Sequence, residues 1–246
     1  MGVRRSAAVR TAVVWDVLRG ALDRRAAESG RTALEVVDAG GGTGGFAVPL
    51  AELGHHVTVV DASPDALAAL ERRAAEKGVS VRAVQGDADD LLGAVRAGGA
   101  DLVLCHSLLE YVDEPAAAMT AMAAALRPGG AVSVLAGGRL ATVLHRAAAG
   151  HFDDACRALS DPDGRWGDRD PVPRRFTRES LAGLAERAGL RVGEVHGVRI
   201  FADLVPGGLV DGDQAAAEAL VALETAAATH PVLRDIATQL HLLAYA

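Results

Sequence analysis

Apolar and polar positions alternate in blocks along the first half of the chain, and each block has the length of one strand or one helix. Five short apolar runs are separated by stretches in which apolar residues recur at helical spacing. The runs are LEVVDAG (34–40), HVTVVDAS (56–63), VSVRAVQ (79–85), ADLVLCH (100–106) and AVSVLAGG (131–138). This alternation is typical of parallel βαβ units with right-handed crossovers, so we predict a doubly wound α/β fold.

Proline and glycine mark the ends of the helices between these runs. The helix predicted over 64–77 begins at Pro64 and is followed by Gly78. The helix predicted over 115–130 is closed by its Pro-Gly-Gly sequence, so the next strand is expected to start after it.

The rest of the chain is predicted to extend this core rather than to form a second one. Thr177 is placed to cap a helix, and LRVGEVHGVRIF and IATQLHLLAYA have the pattern of two more strands. We find no repeat and no long linker, which favours one domain over 1–246. Its predicted parts are an N-terminal helix over about 6–28, a cofactor-binding core over about 33–138, a loop-rich, lid-like insertion over about 139–176, and the C-terminal part of the sheet over 177–246.

Composition narrows the class of protein. The chain has 246 residues, of which 50% are hydrophobic, so it can bury a sizeable core. Its net charge of −7 argues against a broad nucleic-acid footprint, although a local basic patch is compatible with it. Two cysteines and no apolar run of membrane-spanning length favour a reduced, cytoplasmic protein without a membrane partner. The oligomeric state is not predicted.

A glycine-rich loop follows the first predicted strand and suggests an adenosine-bearing cofactor. Gly40, Gly42 and Gly45 form a Gly-x-Gly-x-x-Gly string that is typical of NAD binding. However, Asp38 precedes the first glycine by two residues, and its carboxylate would repel a pyrophosphate by several kcal/mol at about 4 Å. A cofactor with an ammonium group and a sulfonium favours such an acid, and S-adenosylmethionine is that cofactor. A purely structural turn would need fewer glycines.

Three further segments support an adenosine site. Asp61 ends the second strand and can accept the ribose hydroxyls of either cofactor, so it does not discriminate between them. Gly86-Asp87-Ala88-Asp89 follows the third strand, where a polar group can bind an adenine amino group. With the Leu126-Arg-Pro-Gly-Gly130 segment, these features resemble class I methyltransferases. That resemblance implies a Rossmann-like, mostly parallel seven-stranded sheet with the last strand antiparallel.

The chain also resembles the tRNA 5-carboxymethoxyuridine methyltransferase family over nearly its whole length. The segments that carry this resemblance are VRTAVVW, VVDAGGGTG, ELGHHVTVVDAS, DLVLCHSLLEYVDEP, LRPGG, AGHFDDA, GVRIFADLVPG and ALVALETAAATHP. The glycine-rich segment is common to many activities, whereas GVRIF and HSLLEYV are more specific. The family methylates the side-chain carboxylate of a modified wobble uridine, which implies that reaction here, with tRNA as partner and S-adenosyl-L-homocysteine as product.

The resemblance also implies a role for individual residues. Arg10 would pair with the methionine carboxylate of the cofactor, and Arg199 would receive the carboxylate of the acceptor. His106 would line the methionine end of the cofactor and, with Tyr111, the acceptor side. The remaining cofactor-binding positions would be Asp38, Gly40, Gly41, Gly42, Asp61, Ala62, Asp87, Ala88 and Asp89.

The implied chemistry needs no general base and no metal. A carboxylate acceptor has a pKa near ~4 and is already ionised, so alignment for in-line displacement accounts for most of the catalysis. An arginine that binds one carboxylate oxygen leaves the other free to react. A phenolic acceptor would instead need a base or a metal, and His106 is the nearby candidate base.

The insertion departs from the family pattern and leaves other acceptors open. In RALSDPDGRWGDRDPVPRRFTR, Asp161, Asp163, Asp168 and Asp170 offset much of the arginine charge that would attract a tRNA. The alternatives are a small carboxylic or hydroxylated metabolite, or another modified uridine such as a 5-hydroxyuridine. A non-catalytic cofactor-binding partner protein is a third hypothesis.

Overall fold

A computed structural model describes the backbone of residues 2–246 and the side chains of residues 8–206 and 208–246. Its centre is a seven-stranded sheet in the order β3-β2-β1-β4-β5-β7-β6, with the last strand of the chain, β7, antiparallel between β5 and β6. The strands are β1 (Glu35–Ala39), β2 (His56–Asp61), β3 (Arg82–Gln85), β4 (Ala100–His106), β5 (Leu126–Gly137), β6 (Arg191–Val198) and β7 (Gln239–Tyr245). The predicted fold class is therefore confirmed.

Eleven α-helices connect or flank the strands within the described residues. They are α1 (Gly2–Ser29), α2 (Ala47–Glu52), α3 (Pro64–Lys77), α4 (Leu91–Ala94), α5 (Pro115–Ala125), α6 (Arg139–Ala148), α7 (Phe152–Ser160), α8 (Arg178–Arg187), α9 (Gly207–Asp211), α10 (Gln214–Ala227) and α11 (Pro231–Asp235). The predicted Thr177 cap of α8 is present, and α3 begins at Pro64 and is followed by Gly78 as predicted. Ser63 accepts the N–H of Ala66, and Thr177 accepts that of Ser180.

The parallel register aligns the carboxyl ends of the central strands. Asp38 on β1 lies beside Val59 on β2 and Leu104 on β4, and Asp61 on β2 lies beside Gln85 on β3. β4 is buried along its length up to Cys105, as expected of a central strand covered on both faces. The loops that leave β1, β2 and β3 therefore start at one edge, the usual ligand edge of such a sheet.

Two predicted boundaries are wrong. β5 already begins at Leu126, so the sequence LRPGG belongs to the strand and does not close the preceding helix, which ends at Ala125. The segment 139–176, predicted to be rich in loops, also holds the helices α6 and α7. Strand β6 ends at Val198 rather than at residue 201, because Arg199 has a left-handed backbone with φ 60°.

The chain divides into two compact units, each assembled from separate stretches. The first unit holds the chain up to Arg19, Leu135–Leu181 and Glu194–Leu242. The second unit holds Gly20–Val134, Ala182–Gly193 and Leu243–Ala246. The single domain inferred from the sequence stays a prediction.

One buried aspartate joins several distant segments of the second unit. The side chain of Asp101, at the start of β4, has no solvent exposure. It pairs with Arg25 on α1 at 3.0 Å, with Arg127 at 3.2 Å and with Arg31, and it accepts the N–H of Glu35 at 2.9 Å. Burial alone would raise the pKa of Asp101, but the bonds from Arg31, Glu35 and Arg25 and the charge of Arg127 lower it below its usual value.

The two cysteines are free and differ in exposure. Cys105 on β4 is fully buried, and burial raises the pKa of its thiol, with further contributions from the charges of Glu110 and Asp38. Cys156 on α7 is exposed. Among the described residues, no helix is both long and apolar enough to cross a membrane.

Candidate functional site

The loop between β1 and α2 requires glycine at several positions. Gly40, Gly42 and Gly44 have φ values of 69°, 55° and 78°, which residues other than glycine rarely adopt. The N–H of Gly40 donates to the carbonyl of Val60 at 2.7 Å, which ties the start of the loop to β2. The loop is therefore fixed in a backbone conformation that favours glycine at these positions.

Gly41 has no room for a side chain for a different reason. A Cβ atom at this position would lie 2.6 Å from both Cγ and Oδ2 of Asp38 and 3.0 Å from a methyl group of Val59. The backbone of the loop thus packs directly against the Asp38 carboxyl group. By contrast, a Cβ at Gly45 would meet nothing within 4 Å.

Asp38 is a buried acid at the carboxyl end of β1. Its residue exposure is 3%. Burial, and to a smaller extent the negative charge of Asp61, raise its pKa to about 7. An acid held in this state gains a strong preference for a cationic partner, since a positive charge nearby restores the ionised form.

Asp61 ends β2 and is oriented by two backbone groups. Its Oδ2 accepts the N–H of Gly42 at 2.8 Å, and its Oδ1 accepts the N–H of Ser63 at 2.9 Å. Each carboxylate oxygen can accept a second hydrogen bond, so both retain capacity for a ligand hydroxyl. Ala62 follows directly, and its carbonyl accepts the side-chain N–H of Gln85 at 3.3 Å.

The segment after β3 forms one turn of 3₁₀ helix over Ala88–Asp90. Asp87 caps this turn by accepting the N–H of Asp89 at 3.3 Å. Ala88 is buried, whereas Asp89 is exposed. The pKa of Asp89 is raised, first by its slight burial and then by the negative charges of Asp87 and of nearby acids after β4.

His106 ends β4 and is held as a neutral imidazole. Burial lowers its pKa to about 3. Its Nε2 lies 2.9 Å from Oγ of Ser133 on β5, and its ring makes an edge contact with Phe46 at a centroid distance of 4.5 Å. A neutral imidazole does not repel a cationic ligand. Ser107, the next residue, has a left-handed backbone with φ 54°, and Tyr111 is 55% exposed.

Arg10 and Arg199 both belong to the first unit and share one counter-ion. Arg199 pairs with Oδ2 of Asp203 at 2.7 Å, and Arg10 pairs with Oδ1 at 3.4 Å. Nη1 of Arg199 also lies 3.4 Å from Oε1 of Gln239. The pattern LRVGEVHGVRIF predicts Arg199 within a strand, and that prediction is wrong because β6 ends one residue earlier.

Sequence reasoning missed two acids that organise this part of the first unit. Asp203 lies four residues after Arg199 within GVRIFADLVPG, a spacing that could have indicated an ion pair. Glu224 is 1% exposed and accepts three consecutive backbone N–H groups, those of Ile200, Phe201 and Ala202. No local pattern could have paired Glu224 with residues more than 20 positions away.

Two of the four aspartates between residues 161 and 170 of the insertion stabilise its loop. Asp170 forms a double ion pair with Arg175 at 2.7 and 2.9 Å, and it accepts the N–H groups of Trp166 and Val172. Asp161 accepts two backbone N–H groups at 2.8 and 3.2 Å. Trp166 is buried beneath the guanidinium of Arg146, at 3.6 Å from its ring centroid. These groups therefore contribute to the folding of the insertion.

The second-unit residues fit S-adenosylmethionine chemically. A buried acid with a raised pKa suits the ammonium and sulfonium charges, and a carboxylate with free acceptor capacity suits two ribose hydroxyls. The loop carries no side chains at Gly40, Gly41 and Gly42, which suits the close approach of a ligand to its backbone. Within the described part of the chain, no group of three His, Cys, Asp or Glu side chains could hold a metal ion.

Comparison with known proteins supports the same chemistry. The family model of a methyltransferase domain matches residues 36–130. The tRNA 5-carboxymethoxyuridine methyltransferase of Escherichia coli O157:H7 is 33% identical over 197 residues, which are 79% of this chain and 72% of that protein. The ubiquinone biosynthesis O-methyltransferase of Xanthomonas axonopodis pv. citri is 37% identical over 95 residues, 39% of each chain.

The fold is shared with solved methyltransferase structures. An S-adenosylmethionine-dependent methyltransferase from Mesorhizobium loti superposes with a TM-score of 0.59 at 21% identity, covering 87% of this chain and 91% of that one. At this identity the similarity supports the fold alone.

Proposed function

Because the chain belongs to the S-adenosylmethionine-dependent methyltransferases, in the family of the tRNA 5-carboxymethoxyuridine methyltransferases, we propose that it methylates the carboxylate of a 5-carboxymethoxyuridine-type wobble nucleotide in tRNA. The observation that supports this acceptor is the length of the sequence match to the tRNA enzyme. The match to the E. coli tRNA enzyme covers 197 residues, whereas the methyltransferase-domain match ends at residue 130. The likeness therefore reaches past the cofactor-binding part of the chain.

The cofactor would be held at the carboxyl edge of the sheet. Asp38 would face the cationic end of the cofactor, and Asp61 would bind its ribose. The residues beside its adenine would be Ala62, Asp87, Ala88 and Asp89. Gly40, Gly41 and Gly42 would let the backbone approach it. When bound, the cofactor supplies a methyl group on a positively charged sulfur. Arg10, which pairs with Asp203 in this structure, would pair with the carboxylate of the cofactor.

A carboxylate acceptor agrees with the state of His106. A pKa of about 3 makes this imidazole a weak proton acceptor, poorly suited to activating a hydroxyl group. A carboxylate needs no such activation, because it is ionised at neutral pH. Arg199 would bind one oxygen of the acceptor and leave the other free to accept the methyl group.

Affinity for S-adenosylmethionine is expected to rise about tenfold from pH 6 to pH 8. With a pKa of about 7, Asp38 goes from about a tenth ionised to about nine tenths ionised over this range, and the ionised form binds the cation. Calorimetric titration at pH 6, 7 and 8 measures the effect. An Asp38→Asn variant should bind more weakly and with little dependence on pH, so an equally steep rise in that variant would contradict the role.

Replacing Arg199 with alanine is expected to reduce kcat/KM for the tRNA acceptor by about 10- to 100-fold, because a charge-assisted bond to the carboxylate is lost. The affinity for S-adenosylmethionine should stay within error. The assay combines purified protein, the cofactor and tRNA carrying 5-carboxymethoxyuridine, followed by mass analysis of the nucleosides. A new methyl ester in the wild-type reaction supports the proposal, and unmodified tRNA with tight cofactor binding would overturn the acceptor.

A hydroxylated small molecule is the second candidate acceptor. It is favoured by the match to the ubiquinone biosynthesis O-methyltransferase, although that match covers 95 residues. The two candidates differ in their need for a base, so activity on a phenolic acceptor that survives Arg199→Ala would favour the second.

A further inference from the structure

The residues that follow strand β6 place Arg199 in an unusual conformation. Arg199 has φ 60°, in the left-handed region that is strained for a non-glycine residue. Such a conformation persists only where neighbouring groups determine it. The contacts that could impose it therefore bear on what Arg199 does.

Glu224 on α10 holds the backbone immediately after Arg199. Its Oε2 accepts the N–H of Ile200 at 2.9 Å, and its Oε1 accepts those of Phe201 and Ala202 at 2.8 and 2.7 Å. The residue is 1% exposed. A buried carboxylate is costly unless it is fully bonded, and here backbone donors supply the bonds. The turn after β6 is thereby fixed at three successive residues.

A second acid holds the guanidinium itself. Nη2 of Arg199 pairs with Asp203 at 2.7 Å, and Nη1 contacts Gln239 at 3.4 Å. The Nε atom is buried without a hydrogen-bond partner, whereas the side chain as a whole is 28% exposed. Each Nη atom carries two hydrogens, so one on each remains for an incoming oxygen pair. The guanidinium is thus restrained before any ligand arrives.

We propose that Glu224 and Asp203 are positioning residues that preorganise Arg199 for an acceptor carboxylate, Glu224 by fixing its backbone and Asp203 by fixing its guanidinium. This inference rests on the proposed role of Arg199 as the acceptor anchor. An arginine that is already held in its binding conformation loses less conformational freedom when the carboxylate binds. The residues that hold it therefore contribute to the preference for a charged acceptor. Neither acid needs to touch the acceptor.

The test is a Glu224→Gln variant of the full chain. The glutamine keeps the shape, but its NH₂ group faces a backbone N–H in place of one oxygen, which should loosen the turn beside Arg199. Binding is measured, with S-adenosyl-L-homocysteine present, for tRNA carrying 5-carboxymethoxyuridine and for the same tRNA as its methyl ester. We expect the variant to lose about 10-fold or more of the preference for the carboxylate form, with unchanged affinity for the neutral ester.

Glu218→Gln is the matched control, because Glu218 is an exposed acid on the same helix and should leave the preference unchanged. Asp203→Asn provides a second variant if Glu224→Gln does not fold, as judged by thermal unfolding, and it should lower the preference in the same way. Equal weakening of both tRNA forms, or an unchanged preference, overturns the inference. A wild-type protein without any preference for the carboxylate overturns the role of Arg199 in the proposed function, and the inference with it.

Discussion

Replacing Gly41 with alanine is expected to weaken S-adenosylmethionine binding by about 100-fold or more. The new Cβ would lie 2.6 Å from the Asp38 carboxyl group, so either the loop or the acid must shift. Overpacking of this kind costs about 1–3 kcal/mol, and a displaced Asp38 forfeits a charge-assisted contact of about 1.5–3 kcal/mol. Calorimetric titration of the purified variant with the cofactor measures the loss.

Gly45→Ala in the same loop is the matched control. A Cβ there meets nothing within 4 Å, so cofactor affinity should change by no more than about threefold. If both variants lost affinity equally, general stiffening of the loop would explain the result, and the close approach to Asp38 would not. Thermal unfolding of the two variants shows whether the Gly41 effect is confined to the site.

Replacing Asp101 with asparagine is expected to destabilise the protein by about 3 kcal/mol at pH 7. The change leaves three partly buried arginines without their common carboxylate, and breaking a buried ion pair from one side costs about 3–5 kcal/mol. We place the effect at the lower end because Arg31 is 36% exposed and solvent screens its charge. Chemical denaturation at neutral pH provides the measurement.

The difference between wild type and Asp101→Asn should depend on pH with a defined sign. The folded-state pKa of Asp101 lies below its usual value of 3.8, so its stabilisation is complete above that value and is lost as pH falls through the lower one. The two proteins should therefore differ equally at pH 7 and pH 5 and converge in stronger acid. Asp65→Asn, an exposed substitution on α3, should cost less than about 1 kcal/mol, and a similar loss there would contradict the role of burial.

The candidate cofactor site at the carboxyl edge of the sheet could be predicted from the sequence because its residues lie next to strong local signals. Asp38, Asp61 and His106 each end an apolar run, and parallel strands align their carboxyl ends by geometry alone. The glycine spacing likewise reports a local backbone requirement, which the positive φ values of Gly40 and Gly42 confirm, although Gly45 has no such value. In these places the local structure is determined mostly by residues that are adjacent in the sequence.

The remaining features depend on residues far apart in the chain. Asp101 gathers arginines from positions 25, 31 and 127, and Glu224 binds a turn more than 20 residues earlier. The apolar pattern continues from 190 to 201, but β6 ends at Val198 and the N–H groups of residues 200–202 donate to Glu224 instead. Pro128-Gly129-Gly130 has the composition of a turn, yet backbone bonds of the two glycines with Ala246 keep this segment in β5.

The unequal environments of the two cysteines make the native protein suitable for site-specific labelling. The Cys105 thiol is buried in β4 and its raised pKa disfavours the reactive thiolate, whereas Cys156 is exposed on α7. A maleimide dye therefore has one accessible target, within the insertion. Fluorescence from that dye would follow the insertion during cofactor binding without any engineered cysteine.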